Sequence, residues 1–499
     1  MAERIGEGPL ILVSNRGPVE YSREGDERVA KPGRGGLVTA LAGLARHLDE
    51  AVWVCATLSD EDAAVAREHG GQAFESGLGS GDSAPDGLCV RMLDLDDEVR
   101  RKFYAVIANP LLWFVQHYLW DLGNTPNLTR EHVDAFENGY RVVNTRFAEA
   151  VAEEVSARGG RATVMVQDYH LYLLPQQVRD SCPEVLLHHF VHIPWPHPDA
   201  WRVLPPDMRK AVFDGVLGND VVAFHSQRYA HNFLLGCGEL LGLDVDMDEL
   251  CVEVSGRTVR ARAYPISVDP EDLETTAASS GVGEREKLLD EKRREHLILR
   301  ADRADPSKNI LRGFRAFDIL LTDHPELAGR VTFLALVQRS REDVQQYVDY
   351  LEEIQRLVDE LNRKHGTDDW QPIELGLEGD FEEVVAAYKS FDVLVVNPIA
   401  DGMNLVAKEG VLLNQRDGVL VLSENAGAYE ELGEFALTLY PFDIQQQADT
   451  MFAALTMNQE ERRRRLEGAA AQVREHDVSK WLDDQLRDLA ELDRRSATG

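Results

Sequence analysis

Arg303 and Lys308 stand five residues apart in Ala301-Asp302-Arg303-Ala304-Asp305-Pro306-Ser307-Lys308-Asn309. Two cations at that spacing on one loop can meet both phosphates of a diphosphate leaving group. They neutralise charge as it develops, and one such donor in a dry site is worth about 3 to 4 kcal/mol. A second segment, Pro398-Ile399-Ala400-Asp401-Gly402-Met403-Asn404-Leu405-Val406-Ala407-Lys408-Glu409, suits a hydroxyl-rich ligand. The Asp401 carboxylate can accept from sugar hydroxyls, while the backbone around Gly402 and Asn404 opens a helix whose first N–H groups can donate. Glu409, about two turns on, could take a vicinal diol such as a ribose.

In the first half, Asp168 of Val166-Gln167-Asp168-Tyr169-His170-Leu171 and His192 of Val191-His192-Ile193-Pro194-Trp195-Pro196 each follow an apolar run. A carboxylate and an imidazole at strand ends could orient an acceptor hydroxyl and assist its deprotonation. The plain alternative for a lone histidine there is a core ring, and His188 and His189 are read that way. Ser14-Asn15-Arg16-Gly17-Pro18 follows the first apolar run, and Gly33-Arg34-Gly35-Gly36-Leu37 opens a helical stretch where a phosphate could sit. This is neither GxGxxG nor a Walker loop. Gly77-Leu78-Gly79-Ser80-Gly81 imitates a dinucleotide fingerprint without a preceding strand. Asp94-Leu95-Asp96-Asp97 is set aside as a chance DxD because no apolar strand is seen leading into it. No HxxxH or HExxH pattern supports a metal, and neither a metal nor a cofactor is expected.

The elements that must position these groups read as α/β. Short Val, Ile and Leu runs alternate with longer helical patterns, the pattern of a parallel sheet covered by helices. Strands are expected at Pro9 to Ser14, Ala51 to Ala56, Ala162 to Gln167, Val185 to Val191 and Val221 to His225. A second series follows at Leu297 to Arg300, Val331 to Val337, Ile373 to Leu375, Val393 to Asn397 and Val419 to Ser423. Helices are expected at Leu37 to Leu48, Arg130 to Ser156, Ser226 to Leu240, Asn309 to Leu321 and Arg341 to Lys364. Tyr264 to Pro270, followed by the small-residue stretch Thr275 to Gly283, reads as a linker with stiff ends. Gly70 to Gly87 reads as a surface loop, and Arg462 to Arg465 as a solvated helix face. Two doubly wound halves would carry their ligands at the carboxyl ends of their strands, in a shared cleft.

The chain has 499 residues, 53 Lys plus Arg against 87 Asp plus Glu, and a formal charge of −34. A surface so negative repels phosphodiester backbones, so nucleic acid is not an expected partner. The charge also fits a protein kept soluble in concentrated salt, although acidic outer helices account for it more simply. Five scattered cysteines without a CxxC pair read as buried thiols in a reducing compartment. The start lacks a basic n-region and an apolar h-region, and no apolar run reaches the roughly 18 residues that span a bilayer. No membrane is expected, and the address read is the cytoplasm.

Taken together, the segments VSNR, GGL, DYHL, HIPWP, RADPSK, SRED, DGMNLVAKE and SENAGA, in that order between about Leu10 and Leu492, resemble the trehalose-6-phosphate synthases of glycosyltransferase family 20. The resemblance implies a GT-B fold, two Rossmann-like doubly wound domains facing across a cleft. Residues 1–265 would form an acceptor-binding domain, 266–475 a nucleotide-sugar-binding domain, and 476–499 a helix crossing back to the first. It implies transfer of glucose from a nucleotide sugar, UDP-glucose first among donors, to glucose 6-phosphate with retention, giving α,α-trehalose 6-phosphate. Arg303 and Lys308 would bind the donor diphosphate, with the Gly35 backbone on the distal phosphate. Asp401 and the stretch Gly402, Met403, Asn404, Leu405, Val406, Ala407 and Lys408 would hold the donor glucose, and Glu409 the ribose. Arg16, Tyr104, Trp113, Asp168 and Arg341 would bind the acceptor, Arg16 and Arg341 at its phosphate. His192 would sit beside the anomeric centre, and the departing diphosphate would itself take the acceptor proton. A homo-oligomer is compatible with this family.

Two departures bear on the substrates. The family's Gly-Trp-Ser-Gly after the second strand is Val54-Cys55-Ala56-Thr57, which removes an aromatic wall near the acceptor. Its RLDYSKG is Arg303-Ala304-Asp305-Pro306-Ser307-Lys308-Asn309, a version also similar to the pseudo-glycosyltransferases. Glycerol 3-phosphate or a phosphorylated cyclitol as acceptor, and a non-catalytic sugar-phosphate sensor, therefore stay open beside the first reading. The donor base stays open among UDP, GDP and ADP.

Overall fold

The computed structural model describes residues 9–33, 51–78 and 88–498, with side chains to residue 492. Gly35, the stretch Leu37 to Leu48 and the part of the glycine-rich loop from 79 to 87 lie outside these residues. The chain divides into two units, one running to Tyr264 and resuming at Lys480, the other spanning Pro265–Ser479.

The first unit contains Leu10–Val13 (β1), Val19–Glu24 (β2), Glu27–Pro32 (β3), Ala51–Ala56 (β4), Phe74–Glu75 (β5) and Cys89–Leu93 (β6). It continues with Thr163–Gln167 (β7), Leu186–Phe190 (β8), Val221–Phe224 (β9), Val245–Asp246 (β10), Cys251–Val254 (β11) and Arg257–Ala263 (β12). Among the described residues its main sheet has the order β10-β11-β12-β9-β8-β7-β1-β4-β6-β5. From β12 to β6 every neighbour is parallel, and β10, β11 and β5 add antiparallel edges. The central strands are apolar on both faces, as β1 (LILV) and β9 (VVAF) show, because helices cover both sides of such a sheet. Counted along the parallel strands, the order runs outward from β1 in both directions, so the direction of winding reverses between β1 and β7.

The second unit repeats this plan. His296–Arg303 (β13), Val331–Gln338 (β14), Ile373–Gly376 (β15), Val393–Val396 (β16), Val419–Ser423 (β17) and Leu437–Leu439 (β18) form a parallel sheet in the order β15-β14-β13-β16-β17-β18. This is the 3-2-1-4-5-6 order of a Rossmann-like domain, with its switch point between β13 and β16. Phe314, Phe317, Phe333 and Ile354 pack in its core. Both units are thus Rossmann-like, and the chain is α/β throughout.

Helix ends follow side-chain chemistry. Ser226 accepts from the Tyr229 N–H to start the helix Gln227–Leu241, and Gly242 at φ 70° ends it. The helix Val478–Thr498 buries Trp481, Leu482, Leu486 and Leu489. The Val478 N–H bonds the Val268 carbonyl, whereas Trp481 meets Phe190 edge-on at 5.4 Å and Asp488 accepts from the Tyr264 hydroxyl at 2.5 Å.

Five expectations need correction. The stretch Thr275 to Gly283 is not a linker: the helices Pro270–Ala277 and Ser280–Lys292 occupy it, capped by Asp269 and Ser279. Its small residues serve packing, since a Cβ on Gly281 would lie 2.2 Å from the Glu382 carboxylate. The helix expected from Arg341 starts at Gln345, because Arg341 adopts φ 49°. Arg462 is buried and donates to the carbonyls of Asp392 and Asp417, so only part of the arginine run is solvated. A strand, β6, does lead into Asp94-Leu95-Asp96-Asp97; it was hidden by Arg91 at its centre, which pairs with Glu154. Asp94 and Asp96 pair with Arg67 and Arg146. Of the five cysteines, all unpaired, Cys55 and Cys237 are buried, while Cys89, Cys182 and Cys251 are half-buried. No helix of the described residues is long and apolar enough to cross a membrane.

Candidate active site

In the second unit the chemistry gathers at the switch point. β13 delivers Arg303 to its carboxyl end, exposed, and the chain then turns through Pro306–Lys308 into the helix Ile310–Asp323. The fully buried Asp305 builds that turn: one carboxylate oxygen accepts from the Ser307 N–H (2.9 Å) and hydroxyl (2.8 Å). Asn309 follows at φ 58°, a left-handed conformation that asparagine tolerates better than most residues. Its amide donates to the carbonyls of Asn397 (3.0 Å) and Pro441 (2.7 Å), tying the loop to the end of β16.

Beneath the loop lies Arg300, fully buried. Its guanidinium takes Asp302 at 3.0 Å, the Lys308 carbonyl at 2.9 Å and the Asn397 side-chain oxygen at 2.5 Å. Burial raises the Asp302 carboxyl above its ordinary range against the opposing pull of Arg300 and Lys308. Lys308 is then aimed by its own backbone. Its ammonium meets Asp401 at 2.5 Å, with the two side chains 13% and 15% exposed. The Asn404 amide donates to the same Asp401 oxygen at 3.0 Å, and its side-chain carbonyl accepts from the Ala407 N–H to cap the helix Leu405–Leu413. The first N–H groups of a helix have no acceptor within it.

The segment from Ser423 to Ala428 braces this arrangement. Asp401 bridges Ala426, the Gly427 N–H bonds the Asp401 carbonyl, and Ala428 bonds Met403. A Cβ on Gly427 would lie 1.9 Å from the Gly402 oxygen, so only glycine permits the approach. Lys408 is buried, its ammonium held by Glu431 (2.6 Å) and the Ile266 carbonyl (2.9 Å). Glu409 is half-buried and accepts from the Tyr388 hydroxyl at 2.9 Å; burial raises its carboxyl and that hydrogen bond partly offsets the rise. Arg341, 8% exposed, holds the second Asp305 oxygen and the Tyr347 hydroxyl, each at 2.7 Å.

In the first unit the switch point between β1 and β7 presents Arg16, exposed, beside Ser14, whose hydroxyl accepts from the Trp53 indole at 2.7 Å. Cys55 lies fully buried under Gly17, where a Cβ would stand 2.5 Å from its sulfur. Asp168 leaves β7 at φ 69°, and its carboxylate accepts from the His192 backbone N–H at 3.4 Å. Asp168 and His192 are thus brought together. The His192 ring lies 2.9 Å from the Gln167 amide and 3.2 Å from His225. Burial first, then His225, His189 and His188, push His192 well below the ordinary imidazole range. Tyr104 stacks on His170 at 5.9 Å, and Trp113 packs on Tyr169 at 5.6 Å, so both residues abut the segment that carries Asp168. Gly35 lies outside the described residues.

Sequence reasoning missed Arg300, Asn397, Gln167 and His225. His225 carried a signal, closing the run Val221 to His225 just as His192 follows Val191. Arg300 sat inside an apolar strand with nothing in its neighbourhood to say what it holds.

A model of glycosyltransferase family 20 matches residues 9–491. The alpha,alpha-trehalose-phosphate synthase (UDP-forming) 1 of Aspergillus niger is 31% identical over 98% of this chain and 91% of its own. A trehalose-6-phosphate synthase of Mycolicibacterium smegmatis is 33% identical over 97% and 93%. Among solved structures, an alpha,alpha-trehalose-phosphate synthase (UDP-forming) from Burkholderia xenovorans in complex with glucose-6-phosphate is similar with a TM-score of 0.80 and 28% identity, covering 97% of this chain and all of that one.

Proposed function

The chain belongs to glycosyltransferase family 20 and is a glycosyltransferase, and from that premise we propose that it moves glucose from UDP-glucose to glucose 6-phosphate with retention, forming α,α-trehalose 6-phosphate. The observation that carries the reading is the convergence of Lys308, Asp401 and Asn404 on one switch point. An ammonium has three donors, so Lys308 can keep Asp401 and still take a diphosphate oxygen. Arg303 is the second cation for that diphosphate, with the Gly35 backbone on the distal phosphate. Asp401 and the backbone from Gly402 to Lys408 hold the glucose hydroxyls, and Glu409 the ribose. Lys408 contributes through its backbone, its ammonium being committed to Glu431.

Arg16, Tyr104, Trp113, Asp168 and Arg341 bind the acceptor, Arg16 and Arg341 through its phosphate. The bond from the anomeric carbon to the diphosphate oxygen breaks while the acceptor hydroxyl attacks from the same face. Its proton passes to the departing oxygen, so no protein carboxylate need act as nucleophile. The relatives' names support the product and the UDP released, the glucose-6-phosphate complex of the Burkholderia xenovorans enzyme supports the acceptor, and the five unpaired cysteines fit a reducing compartment such as the cytoplasm.

The test pairs UDP-, GDP- and ADP-glucose with glucose 6-phosphate, glycerol 3-phosphate and a phosphorylated cyclitol. The expected result is one product, from UDP-glucose and glucose 6-phosphate, with both anomeric protons showing the small coupling of an α linkage. Product from glycerol 3-phosphate alone rejects the acceptor, and a large coupling rejects retention. Turnover below background with every pair restores the sensor reading.

A further inference from the structure

Backbone pairing between β13 and β16 stops at Leu299 and Leu394, whereas β13 continues beside β14 as far as Arg303 and Gln338. The crevice of the switch point therefore opens just beyond Leu299. Two buried side chains bridge it. Arg300 of β13 and Asn397, which follows β16, are each 0% exposed, and the guanidinium donates to the Asn397 side-chain oxygen at 2.5 Å. Among the described residues the same guanidinium also takes Asp302 at 3.0 Å and the carbonyls of Lys308 at 2.9 Å and Ile310 at 3.3 Å. The Asn397 amide nitrogen donates to the carbonyl between those two, that of Asn309, at 3.3 Å. Three successive carbonyls, beginning with that of the lysine, are thus held by one bridge.

The direction of each bond is fixed by the chemistry of its partner. A guanidinium only donates, so the Asn397 oxygen must face Arg300 and its nitrogen must face Asn309 and Gln447, whose Oε1 lies 2.9 Å away. Gln447 must then turn its own nitrogen to the carbonyls of Tyr440 (3.2 Å) and Pro441 (3.0 Å), because carbonyls only accept. Neither amide can be reversed without setting donor against donor or acceptor against acceptor. Gly313 makes room for the bridge, since a Cβ there would stand 2.7 Å from the guanidinium and 3.3 Å from the Asn397 nitrogen. An apolar pair could close the crevice without the cost of burying a charge. It could not hold carbonyls. What the charged bridge adds is a fixed orientation for the peptide groups of residues 308 to 310, and with it the direction in which the Lys308 side chain leaves the backbone.

We infer that Arg300 and Asn397 are positioning residues that aim the Lys308 ammonium before any ligand arrives. The consequence for catalysis rests on the proposed role of Lys308 at the departing diphosphate. A donor already in place needs no reorganisation when charge develops, and a misplacement of about 1 Å can cost about 10²-fold in rate. Lysine at position 300 would keep a charge beside Asp302 but lose the planar fork that reaches the carbonyls and Asn397 together.

The test is a double-variant cycle in the full chain. Arg300→Lys should lower kcat about 10- to 100-fold and leave acceptor KM within about twofold. In the Lys308→Ala background it should lower kcat by less than about threefold, because the group it aims is gone. Losses that multiply in the double variant overturn the inference and leave Arg300 a brace of the sheet. Gly313→Ala repeats the cycle without deleting a hydrogen-bonding group, which keeps the test decisive where Arg300→Lys fails to fold. It should lower kcat at least about fivefold alone and less than about twofold beside Lys308→Ala.

Calorimetric titration with UDP and with UMP needs no transfer and so separates this inference from the reaction. The advantage of UDP over UMP should shrink at least about fivefold in Arg300→Lys. A shrunken advantage in a chain that makes no trehalose 6-phosphate refutes the proposed reaction and supports the positioning role. An undiminished advantage, or an unaltered chain that binds UDP no better than UMP, overturns the positioning role.

Discussion

Replacing Lys308 by alanine probes the centre of the proposed chemistry. The ammonium is mostly shielded from water and lies 2.5 Å from Asp401. A preorganised donor aimed at developing charge in such a site supplies about 3 to 4 kcal/mol, which at about 1.36 kcal/mol per decade is a fall of roughly 10² to 10³ in kcat. A second effect must be separated from it. Without Lys308, Asp401 keeps the Asn404 amide but loses its cation, at a cost to stability of about 1 to 3 kcal/mol. Asp401→Asn in the Lys308→Ala background removes the stranded charge, so it should restore denaturant resistance while leaving kcat low. The assay is the initial rate of nucleoside diphosphate release with both substrates saturating, beside a denaturation midpoint for each variant. A Lys308→Ala kcat within threefold of the parent, or recovery of turnover in the double variant, would show that the cation serves only to balance Asp401.

Arg341→Ala should raise KM for the phosphorylated acceptor about 10- to 100-fold, the value of a charge-assisted contact. It should also cost about 3 to 5 kcal/mol of stability because Asp305 loses its buried partner; an equal catalytic loss with an unphosphorylated acceptor analogue contradicts the phosphate role. Glu409 is raised by burial, so the folded chain binds its proton more tightly than the unfolded chain does. Its favourable contribution is whole below the unfolded pKa of about 4.3 and is lost as pH rises through the folded pKa. Glu409→Gln should therefore melt above the parent at pH 8, draw level near pH 4, and raise donor KM about tenfold; a melting difference unchanged across that range contradicts the assignment. Gly427→Ala puts a methyl against the Gly402 oxygen and should cost about 1 to 3 kcal/mol. Donor KM should rise more than acceptor KM, and steady-state kinetics showing the reverse would detach Gly427 from the donor loop.

The strands that carry the site were legible because they are apolar on both faces: Ala51–Ala56 and Val419–Ser423 have the bounds expected of them. The recurrence of that rhythm foretold two α/β units, and the loops after β13 and β16 stood out through Arg303, Lys308 and Asp401. Illegible were elements whose partners are remote. β6 and β12 carry arginines that only their tertiary neighbours reconcile with a sheet, as Glu154 does for Arg91. Arg462 looked solvated beside its acidic neighbours, yet its acceptors come from Asp392 and Asp417, far back along the chain. Lys408 looked like a ligand contact within its motif, but its charge is spent on Glu431.

The helix Val478–Thr498 belongs, from Lys480 on, with a unit whose other residues end at Tyr264. A ribosome must therefore make the whole of the second unit before it makes Trp481, a delay on the order of tens of seconds at ordinary synthesis rates. During that interval Phe190 and His192 lack their indole cover and Tyr264 lacks Asp488. The second unit, contiguous in sequence, can close its own core first, and the nascent first unit must wait for its final wall while its imidazoles stand open to water.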